Sequence, residues 1–212
     1  MSEMYGQLSV AVLGGSLKEI KKLTQMALDS GSSAQQVLDL GLLPGMDEVG
    51  KRFKVGAMFI PEVLLSARTM TAAMELLKPL LAQTEGGGRG TVVIGTVQGD
   101  LHNIGKNLVA MMLEGAGFTV VDLGIDVKPQ AFLDAVKQHK PQLLGMSALL
   151  TTTMPRMGET IHALEEAGVR AQVKVMVGGA PVTQEFVAKI RADAYAANAG
   201  TAVEVAKALV GG

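Results

Sequence analysis

Residues 92–109, VVIGTVQGDLHNIGKNLV, indicate which class of fold this chain adopts. This stretch opens with an apolar, β-branched run, which is typical of a buried strand, and it closes with apolar residues at helical spacing. Between the two lies the loop GDLHNIG, in which glycines flank an aspartate and a histidine. A strand, a short loop and a helix begin a βαβ unit, so we predict a parallel sheet from this point onward.

The same alternation continues to the end of the chain. Further strands are predicted at TVVDLG, QLLGMS, VKVMVGG and DAYA, and helices near 104–116, 129–138, 156–167, 183–190 and 200–210. Five strands favour a doubly wound, Rossmann-like sheet in the flavodoxin order 2-1-3-4-5. Ligands bind such sheets beyond the carboxyl ends of the strands, which directs attention to the loops QGDLHNIG, SALLTTTM and GGAPVT.

The first 83 residues are predicted to be helical. Gly41, Pro44 and Gly45 are expected to break one helical segment in two, and Pro61 fits the first turn of the last helix. Four helices joined by short turns predict a four-helix bundle. The glycine-rich run TEGGGRG then predicts a flexible linker. We therefore expect an α/β protein with a helical domain at 1–83, a linker at 84–90 and a sheet domain at 91–212.

Composition excludes several kinds of function. The chain has 212 residues, a net charge of −1 and no cysteine, which rules out disulfides, thiolate zinc sites and cysteine nucleophiles. The scattered basic residues argue against a nucleic-acid partner. The longest apolar runs fall short of the roughly 18 residues that a membrane span needs, and MSEMYGQLSV does not resemble a signal peptide. A cytoplasmic location with no membrane partner is expected.

Asp100 and His102 are the residues with the clearest chemistry. The carboxylate can accept a hydrogen bond from one ring nitrogen and leave the other free as a ligand or base. The alternative is a loop histidine that simply bonds to a turn aspartate. His139 and His162 lie at a helix end and in a helix, where ordinary surface or half-buried positions are expected. Because one imidazole cannot form a closed zinc site, a metal here would bring its other ligands in a macrocycle, such as haem or a corrin.

The other two loops offer hydroxyl groups and exposed backbone. The hydroxyls come from Ser147 and from Thr151, Thr152 and Thr153, which could also cap the helix that starts near Pro155. The GGAP loop lets backbone approach a ligand, or forms a tight turn. A phosphorelay receiver needs an acceptor aspartate where Ser147 stands, and a Walker-type phosphate loop is absent after the first strand.

Taken together, these motifs resemble the corrinoid proteins of cobalamin-dependent methyltransferase systems. The family signature Asp-x-His-x-x-Gly is matched by Asp100, His102 and Gly105. A Ser-x-Leu motif and a Gly-Gly motif are matched by Ser147, Leu149, Gly178 and Gly179. The likeness extends into the helical half through GLLPGMDEVGKRF and FIPEVLLSARTMTAAMELLKPLL, and so covers nearly the whole chain.

This resemblance implies that the chain binds cobalamin or a related corrinoid with its nucleotide tail pulled off cobalt. His102 would take the vacated axial position (base-off, His-on), while Asp100 and Thr153 would tune that bond. Phe59 or Leu64 in the helical half would shield the methyl group. The rest of the implied cofactor-binding set is Asn103, Ile104, Gly105, Ser147, Leu149, Thr151, Thr152, Gly178, Gly179 and Ala180.

The implied function is a methyl carrier without a complete active site of its own. A substrate-specific methyltransferase would load the cobalt, a second enzyme would pass the methyl group to tetrahydrofolate or coenzyme M, and a reductive activase would restore the carrier. The donor stays open among methylamines, methanol, methoxylated aromatics and betaines. Two other cobalamin proteins are alternatives: an isomerase subunit, which generally lacks a helical cap, and a sensor, whose light-sensing kind uses a tryptophan that this chain lacks.

One motif departs from the family pattern. The run IRADAYAANAG carries Arg191, Ala194 and Asn198 where close relatives tend to have Gly, Gly and Asp. These positions are expected near the nucleotide tail, so the departure concerns the contacts of the tail and not those of the metal.

Overall fold

A computed structural model describes residues 2–81 and 89–211. The described chain forms two compact units. One holds residues up to 81 together with Glu114–Gly117, and the other holds residues 89–113 and 118–211. Residues 84–88 of the predicted linker lie outside the described residues, so the domain boundaries stay a prediction. No helix in the described ranges has the length and apolar character needed to cross a membrane.

The first unit is helical, as predicted. Its elements are α1 (Ser2–Leu13), α2 (Leu17–Asp29), α3 (Ala34–Gln36), a π-helical segment (Val37–Leu42), α4 (Leu43–Lys54) and α5 (Ile60–Leu81). The first turn of α5 contains Pro61, where the missing N–H costs no helical hydrogen bond. Buried apolar side chains from four of these elements, among them Leu8, Ile20, Leu42 and Leu77, form the core.

The predicted break at Gly41, Pro44 and Gly45 is wrong. The run from α3 through the π-helical segment into α4 is continuous, so the unit has four helices with a different division from the predicted one. A Cβ atom at Gly41 would lie 2.8 Å from the Leu8 side chain, and one at Gly45 would lie 2.7 Å from the carbonyl oxygen of Ser9. Both glycines are therefore explained by the close approach of α1 and not by a turn.

The second unit is a five-stranded parallel sheet with helices between the strands. In chain order it contains β1 (Thr91–Thr96), α6 (Ile104–Gly115), β2 (Thr119–Asp122), α7 (Pro129–His139), β3 (Leu143–Ser147), α8 (Pro155–Glu166), a 3₁₀ turn (Arg170–Gln172), β4 (Lys174–Gly178), α9 (Gln184–Ile190), β5 (Ala194–Ala196) and α10 (Ala199–Val210). The strand order is β2-β1-β3-β4-β5 with every pair parallel, which confirms the predicted topology.

The two faces of this sheet differ. Val93, Leu144 and Val175 point to one face, where they pack with Phe132 of α7 in a continuous apolar core. On the other face, small residues meet in one cross-strand row at the carboxyl ends of the strands. That row consists of Thr96, Ser147, Gly178 and Ala196. The site described next lies at this end of the sheet.

Candidate cofactor-binding site

The carboxylate of Asp100 organises the loops at the carboxyl ends of β1 and β3. The residue is fully buried. One of its oxygens accepts hydrogen bonds from the backbone N–H and the ring Nδ1 of His102, at 3.0 and 2.7 Å. The other oxygen accepts from the N–H groups of Leu149 and Leu150, at 2.7 and 3.3 Å, and from the hydroxyl of Thr153, at 2.9 Å. This buried acid therefore joins two loops that are about fifty residues apart.

Asp100 is ionised in this setting. Burial alone would raise the pKa of the carboxyl group, because desolvation disfavours charge. The hydrogen bonds from the backbone of His102 and Leu149 and from the side chains of His102 and Thr153 outweigh that effect and hold the pKa of Asp100 well below its usual range. The carboxylate is thus a permanent acceptor for the imidazole at neutral pH.

The imidazole of His102 is oriented by this contact. Since an ionised carboxylate can only accept, the neutral form of the imidazole carries its proton on Nδ1 and its lone pair on Nε2. The side chain is 51% exposed, and Nε2 has no hydrogen-bond partner in the described part of the chain. No group of three or more His, Cys, Asp or Glu residues within 2–81 and 89–211 could hold a metal ion. His139 and His162 are exposed, as expected. The arrangement suits a metal that arrives with its other ligands in place.

The three threonines after β3 have different environments. Thr153 is buried, and its single hydroxyl proton has two acceptors at 2.9 Å, the carboxylate of Asp100 and the carbonyl oxygen of Leu150. The two threonines before it are exposed. The alternative role as a helix cap is not observed, because Met154 is the N-cap of α8 and makes no side-chain capping bond. Of the three, only Thr153 reaches the buried acid.

The three motif glycines differ in the structural reason for having no side chain. Gly179 has a φ of 131°, and a Cβ there would lie 1.8 Å from the carbonyl oxygen of Ala148. A Cβ on Gly178 would lie 2.8 Å from the carbonyl oxygen of Ala196. Gly105 is different, because no described atom other than those of its chain neighbours and its own helix backbone lies within 4 Å of the Cβ position. The first two glycines serve the packing of the chain, whereas the open space at Gly105 remains available to a ligand.

Apolar side chains that face solvent surround His102. Leu101 is 67% exposed and Ile104 78%, while Leu149 and Leu150 on the β3 loop are each just over 40% exposed. The remaining members of the predicted set that lie near the surface are Asn103, Ser147 and Ala180. Exposed apolar groups around one free imidazole nitrogen form a surface suited to a large, flat and largely apolar ligand.

The sequence analysis did not predict two residues that stabilise the loop carrying His102, namely Thr96 and Lys106. The hydroxyl of the buried Thr96 donates to the carbonyl oxygen of His102 at 2.9 Å. Lys106, which is also buried, pairs with Asp122 of β2 and donates to Asn107 at 2.7 Å, which fixes the first turn of α6. A lysine directly after the Gly of the Asp-x-His-x-x-Gly motif was a visible signal, whereas the partner of Thr96 depends on the path of the loop.

Comparison with known proteins identifies the kind of ligand. Residues 90–209 and 5–78 each match a family described as a B12 binding domain. Trimethylamine corrinoid protein 2 of Methanosarcina mazei is 47% identical over 189 residues, which cover 88% of this chain and 87% of that relative. The chain belongs to the corrinoid-protein family. Cobalamin or a related corrinoid is therefore its cofactor, and the single free imidazole nitrogen fits a metal held in such a ring.

Solved structures of corrinoid proteins share the whole architecture. A cobalamin-binding protein from Desulfitobacterium hafniense superposes with a TM-score of 0.82 at 34% identity, over 97% of this chain and 98% of that one. A chain of the methanol:cobalamin methyltransferase complex MtaBC from Methanosarcina barkeri gives a TM-score of 0.87 at 32% identity, over 99% of this chain and 80% of that chain. Helical unit and sheet unit thus both belong to the corrinoid-protein fold, which favours the methyl carrier over the isomerase subunit.

The residues that depart from the family pattern have local structural roles. Arg191 ends α9 in a left-handed conformation and pairs with Glu165 at 2.8 Å. Asn198 is the N-cap of α10 and accepts a hydrogen bond from the N–H of Thr201 at 2.9 Å, which an aspartate at this position would also do. Ala194 begins β5. These changes leave the Asp100 network untouched.

Proposed function

We propose that this chain is the methyl carrier of a corrinoid-dependent methyltransferase system and holds its corrinoid base-off and His-on. The bound corrinoid supplies a cobalt ion that accepts a methyl group from one partner and yields it to another. The observation that carries the proposal is the Asp100–His102 pair, which directs the proton of the neutral imidazole to Nδ1 and leaves Nε2 of a half-exposed side chain without a partner among the described residues. This nitrogen is the atom that would bind the metal.

The work of the chain itself is to set the strength of that one bond. By accepting a hydrogen bond from Nδ1–H, Asp100 makes the imidazole of His102 a stronger donor through Nε2. Thr153 can direct its single proton to Asp100 or to the carbonyl oxygen of Leu150. When it turns to the carbonyl, the carboxylate loses one donor and attracts the Nδ1 proton more strongly. Asp100 and Thr153 therefore act as tuning residues and do not perform the transfer.

We place the nucleotide tail along the face of the sheet that carries the row of small residues Thr96, Ser147, Gly178 and Ala196. The short side chains in this row leave room for a polar group to enter at the carboxyl ends of the strands. Supporting this placement, Gly105 on α6 borders open space. The motif residues Asn103, Ile104, Leu149, Thr151, Thr152, Gly179 and Ala180 are proposed to line the same cofactor site.

Phe59 and Leu64 are proposed to shield the upper face of the cofactor. Phe59 precedes α5 and is 69% exposed, which leaves its ring free to cover a ligand. Leu64 lies one turn into the same helix and is half-buried. We assign the larger share of the shielding to Phe59, because more of its apolar surface is available.

The partners follow from the chemistry of a carrier. We propose a substrate-specific methyltransferase, a second methyltransferase that acts on tetrahydrofolate or coenzyme M, and a reductive activase, all in the cytoplasm. The name of the 47% identical relative makes a methylated amine the first donor to test. Methanol, named for the partner of a 32% identical structure, is the second.

A titration with hydroxocobalamin tests cofactor binding and ligation together. The matched ligand is cobinamide, which lacks the nucleotide tail and its base. Because the protein supplies the axial nitrogen in both complexes, we expect the two bound cofactors to give closely similar absorption spectra, although the free cofactors differ. A bound cobalamin spectrum that equals that of free cobalamin, and differs from that of bound cobinamide, would contradict the proposal.

The variant Gly105→Ala separates ligand space from chain stability. A Cβ at this position meets no described atom, so the free energy of unfolding of the cofactor-free protein should stay the same or rise by up to about 1 kcal/mol. If the space belongs to the cofactor, the affinity for hydroxocobalamin should fall about tenfold. Gly6→Ala is the control, since Gly6 lies in α1 with equally open surroundings. Equal affinities of the two variants would show that the cofactor does not use this space.

A further inference from the structure

Asp126, in the loop between β2 and α7, forms hydrogen bonds with Gly99 and Asp100 in the loop that carries His102, the candidate metal ligand. We propose that Asp126 is a positioning residue, which fixes the backbone on both sides of the Asp100 carboxylate and thereby sets the orientation of the His102 imidazole. The inference rests on the proposed function, in which His102 binds cobalt. Asp126 itself does not touch the imidazole.

The conformation of Asp126 is the first observation. Its φ is 53°, in the left-handed region that favours glycine, and it is one of three non-glycine residues there among the described residues. The other two, Lys140 and Arg191, follow the ends of helices, where this conformation is common. Asp126 has no such helix end to explain it. Aspartate tolerates the region better than most residues, but a glycine would adopt it at lower cost.

Two hydrogen bonds account for an aspartate at this position. The side chain of Asp126 accepts from the N–H of Gly99 at 2.7 Å, and its own N–H donates to the carbonyl oxygen of Asp100 at 3.1 Å. One residue thus holds both the Gln98–Gly99 peptide group and the Asp100–Leu101 peptide group. A glycine at 126 could keep the second bond but would lose the first.

The position of this backbone matters because the Asp100 carboxylate has two tasks. One of its oxygens must meet the N–H of Leu149 and the hydroxyl of Thr153, while the other must meet Nδ1 of His102 at 2.7 Å. A shift of the 99–100 backbone moves the carboxylate relative to partners on the β3 loop and on its own loop together. Asp126 therefore positions the Asp100 carboxylate for its hydrogen bond with Nδ1 of His102, and this bond selects the Nδ1–H tautomer.

Three variants separate the side-chain bond from the backbone conformation. Asp126→Gly keeps the left-handed backbone and removes the acceptor. Asp126→Asn keeps an acceptor oxygen and tolerates the same conformation. Asp126→Ala removes the acceptor and disfavours the conformation, and it gives the same readout if the glycine variant does not fold. Circular dichroism of each cofactor-free variant checks that the chain is folded.

The readout is the tautomer of His102 in the cofactor-free protein. Long-range ¹H–¹⁵N correlation spectra, recorded where the free imidazole is neutral, report the ratio of the Nδ1–H to the Nε2–H form, and His102→Ala assigns the signals. We expect this ratio to fall about fivefold in Asp126→Gly, the factor that corresponds to one ordinary hydrogen bond. Asp126→Asn should resemble the wild type. An unchanged ratio in Asp126→Gly, or an equal fall in Asp126→Asn, would overturn the inference.

A second measurement distinguishes failure of the proposed metal ligation from failure of the positioning role of Asp126. The wild-type protein is loaded with cobalamin, and the cobalt(II) form is examined for coupling to a histidine nitrogen. If that coupling is absent while Asp126→Gly still changes the tautomer ratio, the proposed metal ligation fails and the positioning role of Asp126 stands. If the coupling is present and the ratio does not change, the positioning role fails alone.

Discussion

His102→Ala is expected to raise the cobalt(II)/cobalt(I) reduction potential of the bound corrinoid by on the order of 0.1 V. An axial imidazole donates electron density to the metal and stabilises the higher oxidation state, so its loss favours reduction. We expect His102 to be a strong donor, because the Asp100 carboxylate accepts a hydrogen bond from its Nδ1 at 2.7 Å. Spectroelectrochemical titration of the loaded protein measures the shift.

His162→Ala is the matched control for this experiment. His162 lies on α8 and is 68% exposed, and its ring nitrogens lie near Glu165, at 3.9 Å, and Glu166, at 3.3 Å. Its removal should leave the potential unchanged, and added imidazole should restore the wild-type potential in His102→Ala alone. Equal potentials in the wild type and His102→Ala would show that the metal takes no donor from this residue.

Asp100→Ala is expected to lower the free energy of unfolding of the cofactor-free protein by about 4 kcal/mol. The substitution leaves the N–H of Leu149, the hydroxyl of Thr153 and the N–H groups of His102 without their acceptor. Bonds to an ionised acceptor are stronger than neutral ones, and the group that replaces it cannot accept at all. Urea unfolding monitored by circular dichroism gives the difference.

The difference in the free energy of unfolding between the wild type and Asp100→Ala is expected to depend on pH. Because the pKa of Asp100 is held below its usual range in the folded chain, its contribution is fully present above the pKa of an unfolded aspartate, about 4. It is lost progressively as the pH falls below that value. The gap in stability between the wild type and Asp100→Ala should therefore narrow on acidification.

Asp134→Ala is the control for the loss of an aspartate. Asp134 is exposed on α7, and the one described residue that donates a hydrogen bond to its side chain is Gln130, one turn away. Its replacement should change the free energy of unfolding by no more than about 0.5 kcal/mol. If Asp100→Ala cost as little as this, the buried carboxylate would not be what joins the two loops.

Much of the sheet unit could be predicted from the sequence because its signals are local. Each strand is a short apolar run between helical segments, and a parallel sheet built from such units has few possible strand orders. The break at Gly41, Pro44 and Gly45 was wrong because glycine has two uses, in turns and at close helix contacts. Only the packing against α1 distinguishes them, and that contact joins residues more than thirty positions apart.

The residues of the candidate site also fall into two groups, those that could be predicted from the sequence and those that could not. Asp100 and His102 could be found because the two side chains that meet are two residues apart. Thr153 was found through the family resemblance. The role of Asp126 could not be found, because its bond from Gly99 spans 27 positions and depends on a left-handed residue in a loop. Contacts between positions so far apart cannot be predicted from the spacing of residues within one motif.

Electron paramagnetic resonance of the cobalt(II) form, with ¹⁵N-labelled histidine in the protein and unlabelled cobalamin, tests the central claim most directly. If His102 is the axial ligand, the threefold splitting from ¹⁴N becomes a twofold splitting when the protein is labelled. The label in the protein distinguishes its imidazole from the base of the cofactor's own tail. A threefold splitting that persists in the labelled protein would mean that the tail remains on cobalt, and would contradict the account.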